Sequence, residues 1–122
     1  MTTSEAVYTA LAANAAVAAI VGTGIYPVRA PQGTSAPYVV FQQVGSDPAD
    51  THREAAGAIH RMFQFACFAT TYEAAVALRD AVTAALDSVA LSTGESPTFE
   101  DERDGDFDDA IELYRADADF LV

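Results

Sequence analysis

The sequence contains a single cysteine, Cys67, so no disulfide can form within the chain and no cysteine-based zinc site can be built. A lone thiol points to a reducing compartment. No apolar run approaches the roughly 20 residues that span a bilayer. Residues 15–21 are apolar, but the stretch is short, rich in alanine and preceded by no basic segment, which does not fit a signal peptide. The expectation is a soluble, unexported chain. Positive charge is also scarce. Six basic residues face eighteen acidic ones, for a formal net charge of −12. Binding to phosphate backbones or to anionic lipid needs clustered cations and the counterion release they cause. Sequence-specific nucleic-acid recognition and membrane-surface binding are therefore excluded. An acidic wall that repels DNA is still compatible with this charge.

Catalytic constellations are missing as well. His52 falls in a polar stretch and His60 on an expected strand, at a separation that does not match the common metal-ligand spacings. Cys67 is flanked by Phe65, Ala66, Phe68 and Ala69, with no base nearby in sequence to activate it, and reads as a buried, inert thiol. No glycine-flanked serine forms a nucleophile elbow. Gly22-Thr23-Gly24 lacks the lysine of a phosphate-binding loop and reads as a turn. The acidic run at 100–109 can be aligned to a calcium loop with Gly105 as the turn glycine. Glu100, Glu102 and Asp104 then occupy the first ligand places, but Ile111 stands where a bidentate glutamate is required. The run reads as a solvated acidic edge. No catalytic residue, metal or cofactor is assigned.

What the chain does have is enough apolar material for one core: 51% hydrophobic and 10% aromatic residues over 122 positions, a size expected for one domain spanning 1–122. Thr2 to Glu5 offers caps and early negative charge for a first helix through Leu11. Asn14 interrupts it, and a short helix follows over 15–21. Ile25 to Val28 reads as a short edge strand because it contains Pro27. Residues 29–37, with two prolines and a glycine, form a loop. Residues 38–44 and 59–69 are strands rich in β-branched and aromatic side chains. The second places Phe63, Phe65 and Cys67 on one face and Met62, Ala66 and Phe68 on the other, as in a central strand. Residues 45–57 read as a long polar connection. Thr70 and Glu73 suggest a capping box that opens a helix over about 71–88, with Ala75, Leu78, Val82, Ala85, Leu86 and Val89 on its apolar face. Strands near 98–103 and over 110–122 close the chain. The last should turn Tyr114, Ala116, Ala118, Phe120 and Val122 inward and Arg115, Asp117 and Asp119 to water. The fold class is α+β: an antiparallel sheet of four to five strands with two main helices packed on one face.

The order of several short segments resembles the tail-completion, or tail terminator, family of long-tailed bacteriophages. These segments are Glu5-Ala6-Val7-Tyr8-Thr9-Ala10-Leu11, Val17-Ala18-Ala19-Ile20-Val21-Gly22, Ile25-Tyr26-Pro27, Ala30-Pro31-Gln32-Gly33 and Pro37-Tyr38-Val39-Val40-Phe41-Gln42. Phe63-Gln64-Phe65-Ala66-Cys67-Phe68-Ala69 leads into the helix at 72–86, and Asp101-Glu102-Arg103 and Leu113-Tyr114-Arg115 complete the pattern. The resemblance implies a non-enzymatic virion protein that forms a ring, typically of six subunits, at the head-proximal end of the tail. Such a ring stops tube growth and joins tail to head. Its partners would be further copies of itself, the tail-tube protein and the head connector, with DNA passing through and no membrane involved. A head-completion or neck adaptor protein is the alternative. In a ring, Asp47, Asp50, His52, Arg53 and Glu54 of the long connection, and Arg29 and Gln32 of the proline-containing loop, are candidate assembly residues. Asp101, Asp104, Asp106, Asp108, Asp117 and Asp119 are candidates for lining the channel.

Overall fold

The computed structural model describes residues 3–48, 59–87, 91, 97–105, 107 and 112–122. Along the chain run α1 (Thr3–Ala13), α2 (Ala15–Val21), β1 (Ile25–Pro27), β2 (Tyr38–Pro48), β3 (Ile59–Ala69), α3 (Tyr72–Leu86), β4 (Thr98–Asp104) and β5 (Tyr114–Leu121). The strands form one five-stranded sheet in the order β1-β2-β3-β5-β4. Among the described residues, no single helix is long and apolar enough to cross a membrane.

The α+β class holds, with one amendment. The sheet is mixed, because β1 runs parallel to β2, with Ile25 opposite Val39; the other pairings are antiparallel. A parallel neighbour needs a crossover, and residues 28–37 supply one without a helix. The three expected helices are present. α1 and α2 meet at an 83° bend. Asn14 makes the break as an N-cap, its side chain accepting from the Ala16 and Val17 amides.

β3 is central, as its two-sided apolar pattern predicts: it pairs with β2 and β5 over most of its length. Its helix-facing residues Phe63, Phe65 and Cys67 are fully buried. Phe65 contacts three other rings, with centroids at 6.1 Å to Phe41, 6.5 Å to Phe63 and 5.7 Å to Phe120. Leu78, Val82 and Leu86 of α3, with Val7 and Leu11 of α1, close over this layer. The cap of α3 is Thr71 rather than Thr70: Thr71 accepts from the Ala74 amide. The three-residue spacing from cap to amide is kept, and the helix begins one residue later than the capping-box reading placed it.

β2, which leads into the long polar connection, is also longer than expected, whereas β3 has the expected bounds. Gly45 through Pro48 pair with Met62 through Ile59, after a bulge between Gln43 and Gly45, so 45–48 belong to β2. A bulge keeps a ladder going through a break in register. Ser88, Val89 and residues 110 and 111 lie outside the described residues.

Burial pushes the Cys67 thiol well above its ordinary pKa, with Asp117 adding to the effect. Cys67 is therefore expected to stay unmodified by an aqueous thiol reagent in the native protein and to react at the rate of unfolding. Fast labelling of folded protein would contradict this. Phe65→Ala is expected to cost about 3–5 kcal/mol in urea unfolding, because it empties the space between three rings.

Candidate functional site on the outer face of the sheet

The helices cover one face of the sheet, leaving the outer face of β2, β3, β5 and β4 to be assembled from alternate residues. Three cross-strand rows build it. Tyr38, Phe68 and Arg115 form the first: Tyr38 stacks on Phe68 at 5.0 Å, and the Arg115 guanidinium lies 5.8 Å from the Phe68 centroid. Val40, Ala66, Asp117 and Arg103 form the second. Gln42, Gln64, Asp119 and Asp101 form the third, with the Gln42 amide donating to Gln64 at 3.4 Å.

Here the alternation of β5 holds, but the exposure expected with it fails in part. Asp117 is 3% exposed. Its carboxylate takes a hydrogen bond from Arg115 Nε at 2.7 Å and lies 3.8 Å from Arg103. A polar residue on the outer face was expected in water, but two neighbouring arginines fold over it. Arg103 also donates to Asp119 at 2.6 Å and reaches Asp101 at 4.0 Å. Asp101 and Asp119 are direct cross-strand neighbours. Opposed like charges are destabilising, and Arg103 between them relieves the repulsion. The bond to Asp119 holds the Arg103 guanidinium protonated beyond its ordinary range.

Glycine at 105 makes this arrangement possible. A Cβ there would stand 2.7 Å from Arg115 Cγ, so only glycine lets the arginine stem pass. The Gly105 amide also donates to the Arg115 carbonyl at 2.9 Å.

Tyr114 departs from expectation too. It is 38% exposed and packs edge-on against Tyr72 and Phe107. Tyr72 and Phe107 were not singled out in the sequence. Alternation assigned Tyr114 to the core, but it lies at the end of β5, where cover from α3 runs out. Beside them Asp104 ties β4 to α3. It accepts from the Tyr72 hydroxyl at 2.8 Å and from Arg79 Nη1 at 3.3 Å, and Arg79 also lies 3.6 Å from Glu102. Arg79 is 8% exposed and went unnoticed because it sits mid-helix among apolar residues.

The crossover at 28–37 arches over the first row and encloses a groove of about 800 Å³. Arg29 and Gln32 line it, together with Tyr38, Phe68 and Arg115. The crossover starts at Val28, whose φ of +69° is strained for a β-branched residue. The Val28 amide donates to the Phe41 carbonyl, which holds that conformation in place. Strain of this kind persists where the surroundings over-determine it.

Of the sequence-derived candidates, Arg29 and Gln32 meet in the groove. Asp101, Asp117 and Asp119 gather around Arg103, and Asp104 is drawn to the helix face. Asp47 lies on β2, opposite His60. Asp50, His52, Arg53, Glu54, Asp106 and Asp108 lie outside the described residues. Among the described residues, no group of three or more histidine, cysteine or carboxylate side chains is placed to hold a metal ion.

Three expectations follow. Asp117→Asn should destabilise by roughly 1–3 kcal/mol in urea unfolding, since both arginines lose a charged partner at a buried point. Val28→Gly should be neutral or stabilising by about 1 kcal/mol, the reverse of a usual glycine substitution in a loop. The hydrogen bond to Asp104, with that carboxylate's charge, raises the Tyr72 pKa above its ordinary value of 10.0. The stabilising bond is thus present below the unfolded pKa and is lost as pH rises through the higher folded value. Phenolate absorbance should show a late-titrating tyrosine that moves earlier in Asp104→Asn.

Comparison with known proteins places this architecture. Residues 5–122 match the family described as tail completion protein gp17. No curated protein matches the chain. Among solved structures, a chain from the virion of a native gene transfer agent particle is 26% identical to this one. That likeness covers 98% of this chain and 91% of the other, with a TM-score of 0.77.

Proposed function

The chain belongs to the tail completion protein gp17 family, and from that premise we propose that it is the terminator of a long phage-like tail. Membership makes it a structural component of a tail, in a family of virion proteins. The proposal adds that one unit spanning 1–122 assembles, typically as six copies, into a ring at the head-proximal end of the tube. There it halts growth and joins tail to head, after assembly in the host cytoplasm, and it performs no catalysis. The observation that carries this reading is the family match across nearly the whole chain, joined to a likeness of the same extent to a chain of a phage-like virion.

A net charge of −12 per copy has consequences for such a ring. Like-charged subunits resist closure, and salt relieves this because screening shortens the repulsion to about 10 Å at 0.1 M. A negative lumen would also keep DNA from adhering as it passes. The carboxylates at 101, 104, 117 and 119 already have arginine partners. The channel-facing role therefore falls to Asp106 and Asp108, or to Asp50 and Glu54 of the connection after β2.

The chain should be mixed with polymerising tail-tube protein and imaged by electron microscopy. The expected result is rings at one end of tubes that have stopped growing. Tubes of unrestricted length, or binding to portal rings without binding to tubes, would replace the terminator reading with that of a neck adaptor. Asp106→Lys with Asp108→Lys should give particles that form but deliver DNA more slowly at low salt, with recovery at high salt. Normal delivery at low salt would remove those two residues from the channel.

A further inference from the structure

We propose that the groove beneath the 28–37 crossover is one half of the contact between neighbouring copies, and that its occupant is the acidic β4 edge of a second copy of this chain. The inference rests on the ring reading and assigns a surface to it. All six basic residues of the chain are arginines, set against eighteen carboxylates. Two of the six, Arg29 and Arg115, line the groove, and among the described residues no aspartate or glutamate does. Copies carrying −12 each repel at most approaches. They associate where carboxylate does not meet carboxylate, and the groove is such a place.

The complement lies at the opposite side of the same molecule. β4 is an edge strand of the sheet, and every residue of it is exposed. It carries consecutive acids, Glu100, Asp101 and Glu102. Glu100 stands at a bulge, opposite no residue of β5, between the pairs of Phe99 and Asp101. An edge strand also has backbone donors and acceptors that its own sheet leaves unpaired. The crossover joins β1 to β2 and arches from that side, while β4 lies at the far edge beyond β5. Two different patches on opposite sides make a head-to-tail contact. Repetition of such a contact produces a closed ring when the rotation between copies closes. The aromatic floor of the groove, Tyr38 and Phe68, supplies apolar area, and Arg29 at its rim supplies direction and register.

The test is a charge exchange in the full chain. Arg29 and Glu100 are both exposed, so Arg29→Glu and Glu100→Arg should leave urea unfolding unchanged. Each alone should weaken self-association, read by sedimentation, and tube capping, read by microscopy, by about tenfold. The two together should restore both. Single reversals that associate and cap like the wild type would overturn this interface, as would a double variant that fails to recover. In those cases a capping wild type leaves the ring reading standing and shows that another surface joins the copies. A wild type that never caps tubes fails the ring reading, and the interface falls with it.

Discussion

The position of β3 in the middle of the sheet is the constraint on which the other features depend. Its odd-numbered residues put Phe63, Phe65 and Cys67 under the helices, and Phe65 meets rings from β2, β3 and β5 at once. Aromatic contacts of this kind add about 0.5–1.5 kcal/mol each beyond the area they bury. The same strand holds Gln64, Ala66 and Phe68 on the opposite face, where they become the floor of the groove. Because side chains alternate with a period of two, the register that buries Phe65 also presents Phe68 to Tyr38 and Arg115. Core and surface are two sides of one pairing.

Charge is handled differently on the two faces of the β4–β5 pair. On the helix side, Arg79 and Tyr72 of α3 take up Asp104, which fastens an edge strand with little apolar content to the body of the protein. On the outer side, Arg103 and Arg115 neutralise Asp117 and Asp119. Among the described residues, Arg79, Arg103 and Arg115, half of the six arginines, thus have carboxylate partners — a scarce resource placed where crowded acids would otherwise split the strands. Most of the net negative charge remains at the surface, where it favours solubility and resists indiscriminate association. For the proposed terminator, which would add to a growing tube at one place, both properties matter, and a contact spared of carboxylates would reconcile them.

Much of the fold was legible in the sequence because it is written in short-range patterns. Apolar residues at three- and four-residue steps marked α3, and dense β-branched and aromatic runs marked β2 and β3. Asn14 announced the break between the first two helices, since its short amide caps free amides better than it continues a helix. The misreadings share a cause. Pro48 and the polar residues before it suggested a loop, yet they pair with β3 because the ladder continues past a bulge. Thr70 and Thr71 are equally good caps by type, and the actual start of α3 chose between them. Tyr114 and Asp117 were assigned by alternation alone. Alternation gives the face of a residue but not what lies over it.

By itself the sequence determined that the chain folds around one aromatic strand, carries three acidic residues for each basic one, and follows the segment order of tail completion proteins. These properties depend on residue type and local spacing, which the linear chain already contains. Only the tertiary structure decided that β1 runs parallel, that a proline-containing crossover arches over the outer face, and that Arg103 and Arg115 converge on a buried Asp117. Those outcomes depend on which strands become neighbours, and residues 103 and 117 come together only because β5 enters the sheet between β3 and β4.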